Sequence, residues 1–246
     1  MAAKHVYSFG DGAADGANAD KLLLGGKGAG LAEMSRLGVP VPPGFTITTE
    51  VCTWFQAHDG SYPPGLADEV AEHLRLLESR MGRRFGNADD PLLVSVRSGA
   101  AISMPGMMDT ILNLGLNRDG VRGLEAKGAD PRWVRDCYRR LLQMYGDVVL
   151  EVGKERFEAH LTAARQKQGA TTDAELTAES LDGVIAAYEA LLESEGRPFP
   201  QDPRDQLWGA VGAVFGSWDN RRAREYRRLH DISESLGTAV NVQAMV

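Results

Sequence analysis

The sequence predicts a mixed α/β protein, of the α+β kind, whose second half is largely helical. Short apolar runs bounded by glycine and proline lie near both ends of the chain, which is typical of buried strands. The residues from Asp119 to Asp231 follow a helical pattern almost throughout. With 246 residues, 43% of them hydrophobic, the chain can form a core as one large domain or two small ones.

Composition excludes several classes of protein. The net charge of −7 disfavours unspecific binding to nucleic acid or to an anionic membrane. Cys52 and Cys137 are the only cysteines and are far apart, so neither a disulfide framework nor a zinc site is expected. No apolar run is long enough for secretion or for a membrane span. We therefore expect a soluble, cytoplasmic protein that binds neither nucleic acid nor membrane.

The first elements end in a glycine cluster. Residues 4–9 predict a strand, and Gly10–Asp20 predict a loop. Beyond the glycines, Leu31, Met34 and Leu37 have helical spacing, so the cluster marks a helix entrance. Free N–H groups and the helix dipole suit a phosphate there, and Lys27 adds a charge. The alternative is that the glycines serve close packing and that Lys27 is simply solvated.

Two further helices and a strand follow. Residues 45–48 predict a strand, and Thr48 or Thr49 caps a helix that continues through Phe55. Pro64 begins another helix, whose apolar stripe predicts packing on a core; the stripe consists of Leu66, Val70, Leu74, Leu77 and Met81.

The stretch from Leu92 to Leu116 is the central feature of the sequence. It opens as an apolar run, has Arg97 at its exit, and continues as a loop of serine, glycine, proline and methionine. This pattern predicts a buried strand that delivers Arg97 to a cleft where the backbone can approach an anion. The alternative is a structural salt bridge of Arg97.

The helical segment has clear start signals. Helices are predicted from Pro131, from Lys154 to Gln168, after Thr177, and from Pro203 through Trp218. The piece QKQGATTDAEL between them predicts a mobile surface loop. The following arginines alternate with acidic residues, which favours a salt-bridged helix face over a nucleic-acid site, although one of them could reach a phosphate; they are Arg221, Arg222, Arg224, Arg227 and Arg228.

The last residues, Thr238–Val246, alternate apolar and polar side chains and predict a half-buried strand. Because the chain stops at this strand, we expect a truncated domain with an exposed sheet edge, hence low stability or self-association.

Four segments together resemble the N-terminal nucleotide-binding domain of the pyruvate phosphate dikinase family: LLGGKGAGLAEMSRLGVPVPPGFTITTE, PLLVSVRSGAAISMPGMMDTILNLGLN, FGSWDNRRAREYRR and GTAVNVQAMV. The related phosphoenolpyruvate synthase also has an arginine after this strand but continues differently. The resemblance implies an ATP-grasp-like fold, incomplete at its C-terminus, with ATP between two α/β subdomains. Its parts would be residues 1–117, a helical insertion at 118–232, and the first strand of a second subdomain at 233–246.

The resemblance also implies site residues. Lys27 and Arg97 correspond to the phosphate-binding, catalytic lysine and arginine of the family. The other expected contacts are Gly106, Met107 and Met108 through backbone N–H groups, Asp109 and Thr110 at the loop exit, and Gln243. The alternatives are packing for the methionines, turn capping for Asp109 and a polar surface position for Gln243. The second arginine that the family often has in this loop is absent, since Ala100 and Ala101 occupy the segment.

The implied reaction converts ATP, phosphate and pyruvate to AMP, diphosphate and phosphoenolpyruvate through a phosphohistidine, with Mg²⁺. In the family, the lid loop, metal ligands, histidine domain and pyruvate-binding barrel lie beyond the equivalent of Val246, and the whole enzyme is expected to be a homo-oligomer. The chain resembles the part of the enzyme that holds ATP, and alone it is expected not to turn over and to have no metal ligands of its own. The alternative is a noncatalytic nucleotide-binding or interaction module.

Overall fold

A computed structural model describes residues 3–15 and 21–246, so Gly16–Asp20 of the predicted first loop lie outside the described residues. The strands are β1 (Val6–Gly10), β2 (Ala13–Ala14), β3 (Gly44–Ile47), β4 (Arg84–Phe85), β5 (Pro91–Leu92), β6 (Val94–Ala100), β7 (Thr110–Leu114) and β8 (Thr238–Ala244). The helices are α1 (Lys21–Arg36), α2 (Thr49–Ala57), α3 (Leu66–Met81), α4 (Arg118–Ala126), α5 (Pro131–Val148), α6 (Lys154–Gln168), α7 (Ala178–Ser194), α8 (Pro203–Ser217) and α9 (Arg221–Leu229). The mixed α/β class is confirmed.

The chain divides into two compact units. One comprises Met1–Arg83, Val94–Thr110 and Val211–Val246, and the other comprises Arg84–Leu93 and Ile111–Ala210. The sequence-based division at 117 and 232 differs from these bounds, because the segment after Val211 and the strand β8 join the first unit.

The first unit is built on an antiparallel sheet. Its strands follow the order β2-β1-β3-β8-β6, each antiparallel to its neighbour. Phe45 on β3 approaches His73 of α3, with 6.1 Å between the ring centroids, while Thr46 lies against Gly28 of α1. Because successive side chains of a strand point to opposite faces, α1 and α3 cover opposite faces of the sheet.

β8 is central to this sheet. It pairs with β3 on one side and with β6 on the other, and all seven of its residues are buried. The expectations of a half-buried strand and of an exposed edge at β8 are therefore wrong. The alternation of apolar and polar residues was misleading, because the polar Asn241 and Gln243 face a side of the sheet that is covered by protein and not by solvent.

Helix α1 is present as predicted, but it packs through a different face. The expected apolar residues Met34 and Leu37 are 40% and 74% exposed. The buried positions are instead small residues after a break at Gly25, where φ is +67° and ψ is 167°; they include Gly28, Ala29, Ala32 and Ser35. The helix therefore approaches the sheet backbone closely.

The second unit consists mainly of helices, with β4 and β5 as a short parallel pair. The predicted starts of α5, α6, α7 and α8 are confirmed. Asp130 caps α5 by accepting from the N–H of Arg132, and Thr177 caps α7 by accepting from that of Ser180. The predicted surface loop includes a 3₁₀ turn, Asp173–Glu175. Phe157 and Tyr188 meet edge to face in the core, with centroids 5.0 Å apart.

Within residues 3–15 and 21–246, no helix is both long and apolar enough to cross a membrane.

Candidate functional site

A row of polar side chains crosses one face of the antiparallel sheet in the first unit. Thr46 on β3 is opposite Asn241 on β8, which in turn is opposite Arg97 on β6. Directly opposite residues of antiparallel strands point to the same face, so the three side chains share it. The Thr46 hydroxyl donates to Oδ1 of Asn241 at 2.9 Å. Arg97 is only half-buried and lies at the outer end of the row.

Helix α1 lies on this same face, at very short range. A Cβ at Gly25 would lie 1.5 Å from the carbonyl oxygen of Gly99, and one at Gly28 would lie 2.9 Å from the Thr46 side chain. Only glycine allows this approach, because any side chain would collide with the backbone of β6 or with the polar row. The packing interpretation of the glycine cluster is thus confirmed.

The same approach brings two cations together. Nζ of Lys27 donates to the carbonyl oxygen of Ser98 at 2.8 Å, and Nε of Arg97 donates to Oγ of Ser95 at 3.1 Å. Burial lowers the pKa of Lys27, and the neighbouring charge of Arg97 lowers it further. No carboxylate forms an ion pair with either residue in the described parts of the chain. Two neighbouring cations without an acid favour an anion as their partner.

Lys27 lines a cleft of about 520 Å³, and Arg97 directly precedes Ser98, another lining residue. Its wall combines the first turns of α1 with the end of β6 and the β6–β7 loop, which we define as residues 101–109. The lining residues are Lys21, Gly26 and Lys27, then Ser98 through Gly106, and finally Met108 and Thr110. Of the predicted site residues, the structure therefore brings Lys27, Gly106, Met108 and Thr110 to one cleft, beside Arg97.

Met107 and Asp109 make contacts on a different side of the loop. The N–H of Met107 donates to the carbonyl oxygen of Met104 at 3.2 Å, so it is not free for a ligand as expected. The carbonyl oxygen of Met107 accepts from Nδ2 of Asn220, and the carboxylate of Asp109 pairs with Arg222. Burial raises the pKa of Asp109, and the charge of Arg222 opposes that rise.

Gln243 lies on the same face of the sheet as Asn241, but it is engaged elsewhere. Its side-chain N–H donates to the carbonyl oxygen of Pro42 at 3.0 Å, and the residue is buried. The alternative of a polar surface position is therefore wrong, while a role toward a ligand stays a prediction.

Three residues of the site region were missed by sequence reasoning. Asn241 is 1% exposed, and its Nδ2 has no hydrogen-bond partner in the described structure. Its position in an alternating strand suggested only a surface polar residue. Asn220 and Arg222 belong to a segment that was interpreted as a salt-bridged face. That interpretation is confirmed for two neighbours, because Arg224 pairs with Asp219 and Arg228 pairs with Glu225.

Comparison with known proteins assigns the chain to a family. A family model described as "Pyruvate phosphate dikinase, AMP/ATP-binding domain" matches residues 21–77 and 59–246. The chain belongs to this family. It is 54% identical over 245 residues to the pyruvate, phosphate dikinase of Rhizobium meliloti (strain 1021), covering 99% of this chain and 27% of that protein.

Other members of the family give the same result. The pyruvate, phosphate dikinases of Giardia intestinalis and Clostridium symbiosum are 50% and 51% identical over 100% and 99% of this chain. In both, the match covers 28% of the relative. The chain thus spans about a quarter of the length of these curated relatives.

Proposed function

We propose that this chain is the nucleotide-binding part of a pyruvate phosphate dikinase, and that the cleft beside Lys27 and Arg97 binds the phosphates of ATP or AMP. The observation that carries the proposal is the pairing of these two cations without a carboxylate partner in the described structure. Binding a polyphosphate would supply the missing negative charge and relieve their repulsion.

The two cations suit different tasks. The planar guanidinium of Arg97 can donate to two phosphoryl oxygens at once, whereas Lys27 acts as a point charge. In phosphoryl transfer, both would offset the charge that develops on the transferred group and on the leaving oxygen. The N–H groups of Gly106 and Met108, in the loop that lines the cleft, would add backbone donors.

The other predicted residues have supporting roles in this proposal. Thr110 would contact the nucleotide from the rim of the cleft, while Met107 and Asp109 would act through the shape of the loop. Gln243 would contribute from β8 only after exchanging its bond to Pro42. The ATP-grasp assignment, with 118–232 as an inserted helical subdomain, belongs to the same proposal.

The activity of the whole protein is also part of the proposal. It is the interconversion of ATP, pyruvate and phosphate with AMP, phosphoenolpyruvate and diphosphate, in a cytoplasmic homo-oligomer. Among the described residues, no group of three or more His, Cys, Asp and Glu side chains is arranged to hold a metal ion. Mg²⁺ is proposed only as the companion of ATP, with protein ligands in regions of the relatives outside this span.

Titration calorimetry with ATP and Mg²⁺ tests the site. Arg97→Ala should weaken ATP binding by about 10- to 100-fold, because a charged hydrogen-bonding group contributes about 1.5–3 kcal/mol. Arg228→Ala is the matched control, since Arg228 is exposed and pairs with Glu225 on its own helix. Equal affinities of wild type and Arg97→Ala would exclude Arg97 from phosphate binding.

A chimera tests the whole activity against the noncatalytic alternative. The matching residues of the Rhizobium meliloti relative would be replaced by this chain, which is 54% identical to them. The chimera should form phosphoenolpyruvate from ATP, phosphate and pyruvate, and Arg97→Ala should abolish that activity. A folded but inactive chimera would favour a noncatalytic module. The isolated chain should form no phosphoenolpyruvate in the same assay.

A further inference from the structure

The β6–β7 loop has two sides with different neighbours. Gly106 and Met108, together with Thr110 directly after the loop, line the cleft. Met107 and Asp109 lie between them in sequence and contact the start of α9 instead. The conformation of the lining side therefore depends on what holds the other side.

We propose that Asn220 and Arg222 are positioning residues that hold the β6–β7 loop in its ligand-binding conformation. Asn220 does so through a hydrogen bond to Met107 and Arg222 through an ion pair with Asp109, both on the side of the loop opposite the cleft. This inference rests on the proposed function, because the loop is taken as part of a nucleotide phosphate site. Neither residue lines the cleft, so both act through the loop.

Asn220 joins the loop to the beginning of a helix. Its Oδ1 accepts from the N–H of Ala223 at 2.7 Å and so caps α9, while its Nδ2 donates to the carbonyl oxygen of Met107 at 3.2 Å. One side chain thus fixes two separate backbone segments. Both of its polar atoms are used, which leaves it a single favourable orientation.

The bond from Asn220 also orients a peptide group. In a trans peptide the C=O and the following N–H point in opposite directions. Because Asn220 holds the C=O of Met107, the N–H of Met108 is directed away from α9, and Met108 is a residue that lines the cleft. A reversed peptide would turn a carbonyl oxygen toward the cleft and would repel an anion.

Arg222 provides the second attachment. Its Nη2 lies 3.4 Å from Oδ1 of Asp109, and the Asp109 side chain is 26% exposed. Removing the guanidinium would leave a partly buried carboxylate without its cation. The carboxylate would then move toward solvent and take the loop exit with it.

α9 is itself held firmly enough to serve as a support. Arg227 is 2% exposed, its guanidinium lies 4.2 Å from the ring centre of Trp218, and it donates to the carbonyl oxygen of Trp218. The indole N–H of Trp218 donates to the carbonyl oxygen of Glu234 at 3.1 Å. The last turn of α9 is therefore anchored to Trp218, which lies just before the first residue of the helix.

The test uses two variants and one control. Asn220→Ser keeps a capping oxygen for α9 but is too short to reach Met107, and Arg222→Gln removes the charge opposite Asp109. Arg228→Gln removes an exposed charge from the same helix. Hydrogen exchange reports on the loop amides without nucleotide, and calorimetry with ATP and Mg²⁺ reports on the site.

Both variants should increase amide exchange at residues 106–110 by about threefold or more and weaken ATP binding by about 3- to 10-fold, as expected for losing one partner of a hydrogen bond. Arg228→Gln should match wild type in both measurements. Unchanged loop exchange in both variants would overturn the proposal, as would faster exchange with unchanged ATP affinity.

The two proposals fail in different ways. If wild type binds no ATP, the proposed function is wrong. The exchange measurement still confirms or overturns the control of the loop by Asn220 and Arg222.

Discussion

Helices α1 and α5 have similar lengths, 16 and 18 residues, but pack in opposite ways. α5 buries large side chains, among them Tyr138, Leu141 and Tyr145. Apart from Leu24, α1 buries only glycine, alanine and serine. Their cations differ as well, because Arg139 of α5 forms a buried ion pair with Asp136, whereas Lys27 of α1 forms none within the described structure.

The difference separates residues that stabilise from residues that are available for binding. Large buried side chains add stability, and a buried charge is tolerated only when it is paired; α5 meets both conditions. The small residues of α1 bury little apolar area, but they let its backbone pack directly against β6. Lys27 of this helix lies beside Arg97, although the two positive charges repel each other. A helix that packs this way is explained better by a ligand than by stability.

The largest effect is expected where α1 meets β6. Gly25→Ala should destabilise the protein by about 4 kcal/mol or more, because the new Cβ would lie 1.5 Å from a backbone oxygen at a residue with φ of +67°. Gly30→Ala, on the same helix with no atom within 4 Å of its added Cβ, should instead stabilise by about 0.5–1 kcal/mol. Urea unfolding followed by circular dichroism measures both. Equal effects would contradict the close packing of α1.

A smaller loss is expected from the ion pair of α5. Asp136→Ala should reduce the free energy of unfolding by about 3 kcal/mol, because Arg139, 3% exposed, would lose its carboxylate. Asp119→Ala removes an exposed partner of Arg122 and should change stability by less than about 0.5 kcal/mol. Similar losses in the two variants would show that the burial of Arg139 is not what makes its pair important.

Sequence reasoning succeeded where the signal is local. Pro131, and Thr177 with Ser180, mark helix starts through local preferences within one turn, and the structure places α5 and α7 accordingly. The strand that carries Arg97 could be predicted because an apolar run followed by a small-residue loop is itself a local pattern, whereas a role of Arg97 toward a ligand stays a prediction.

Sequence reasoning failed where a distant partner decides the outcome. Met34 and Leu37 have helical spacing, yet α1 packs through Gly28 because Thr46 and Asn241 lie directly beneath it. Similarly, Asn220 is 113 residues from Met107, and no periodicity links the two. The polar Asn241 of β8 seemed suited to solvent because the sequence, although it predicts α1, does not show that α1 lies over this strand.

The smallest predicted effect is the uptake of a fraction of a proton when ATP binds. It distinguishes Lys27, which has no carboxylate partner in the described structure, from a cation that is already paired. The pKa of Lys27 in the free protein is lowered from its usual 10.5, so the lysine loses its proton at lower pH than a lysine with the usual pKa does. A bound polyphosphate favours the protonated form and raises this pKa. Between the lowered and the raised value, ATP binding should therefore take up protons.

The uptake by Lys27 should appear at alkaline pH, between its lowered and its raised pKa, and should vanish at any pH where the lysine is protonated both with and without ATP. Calorimetry in buffers of different ionisation enthalpy measures it. Lys27→Met should remove the alkaline uptake, whereas Lys127→Met, at the end of α4, should keep it. The same uptake in Lys27→Met as in wild type would show that the anion does not bind beside Lys27, and the contrast between α1 and α5 would then concern packing alone.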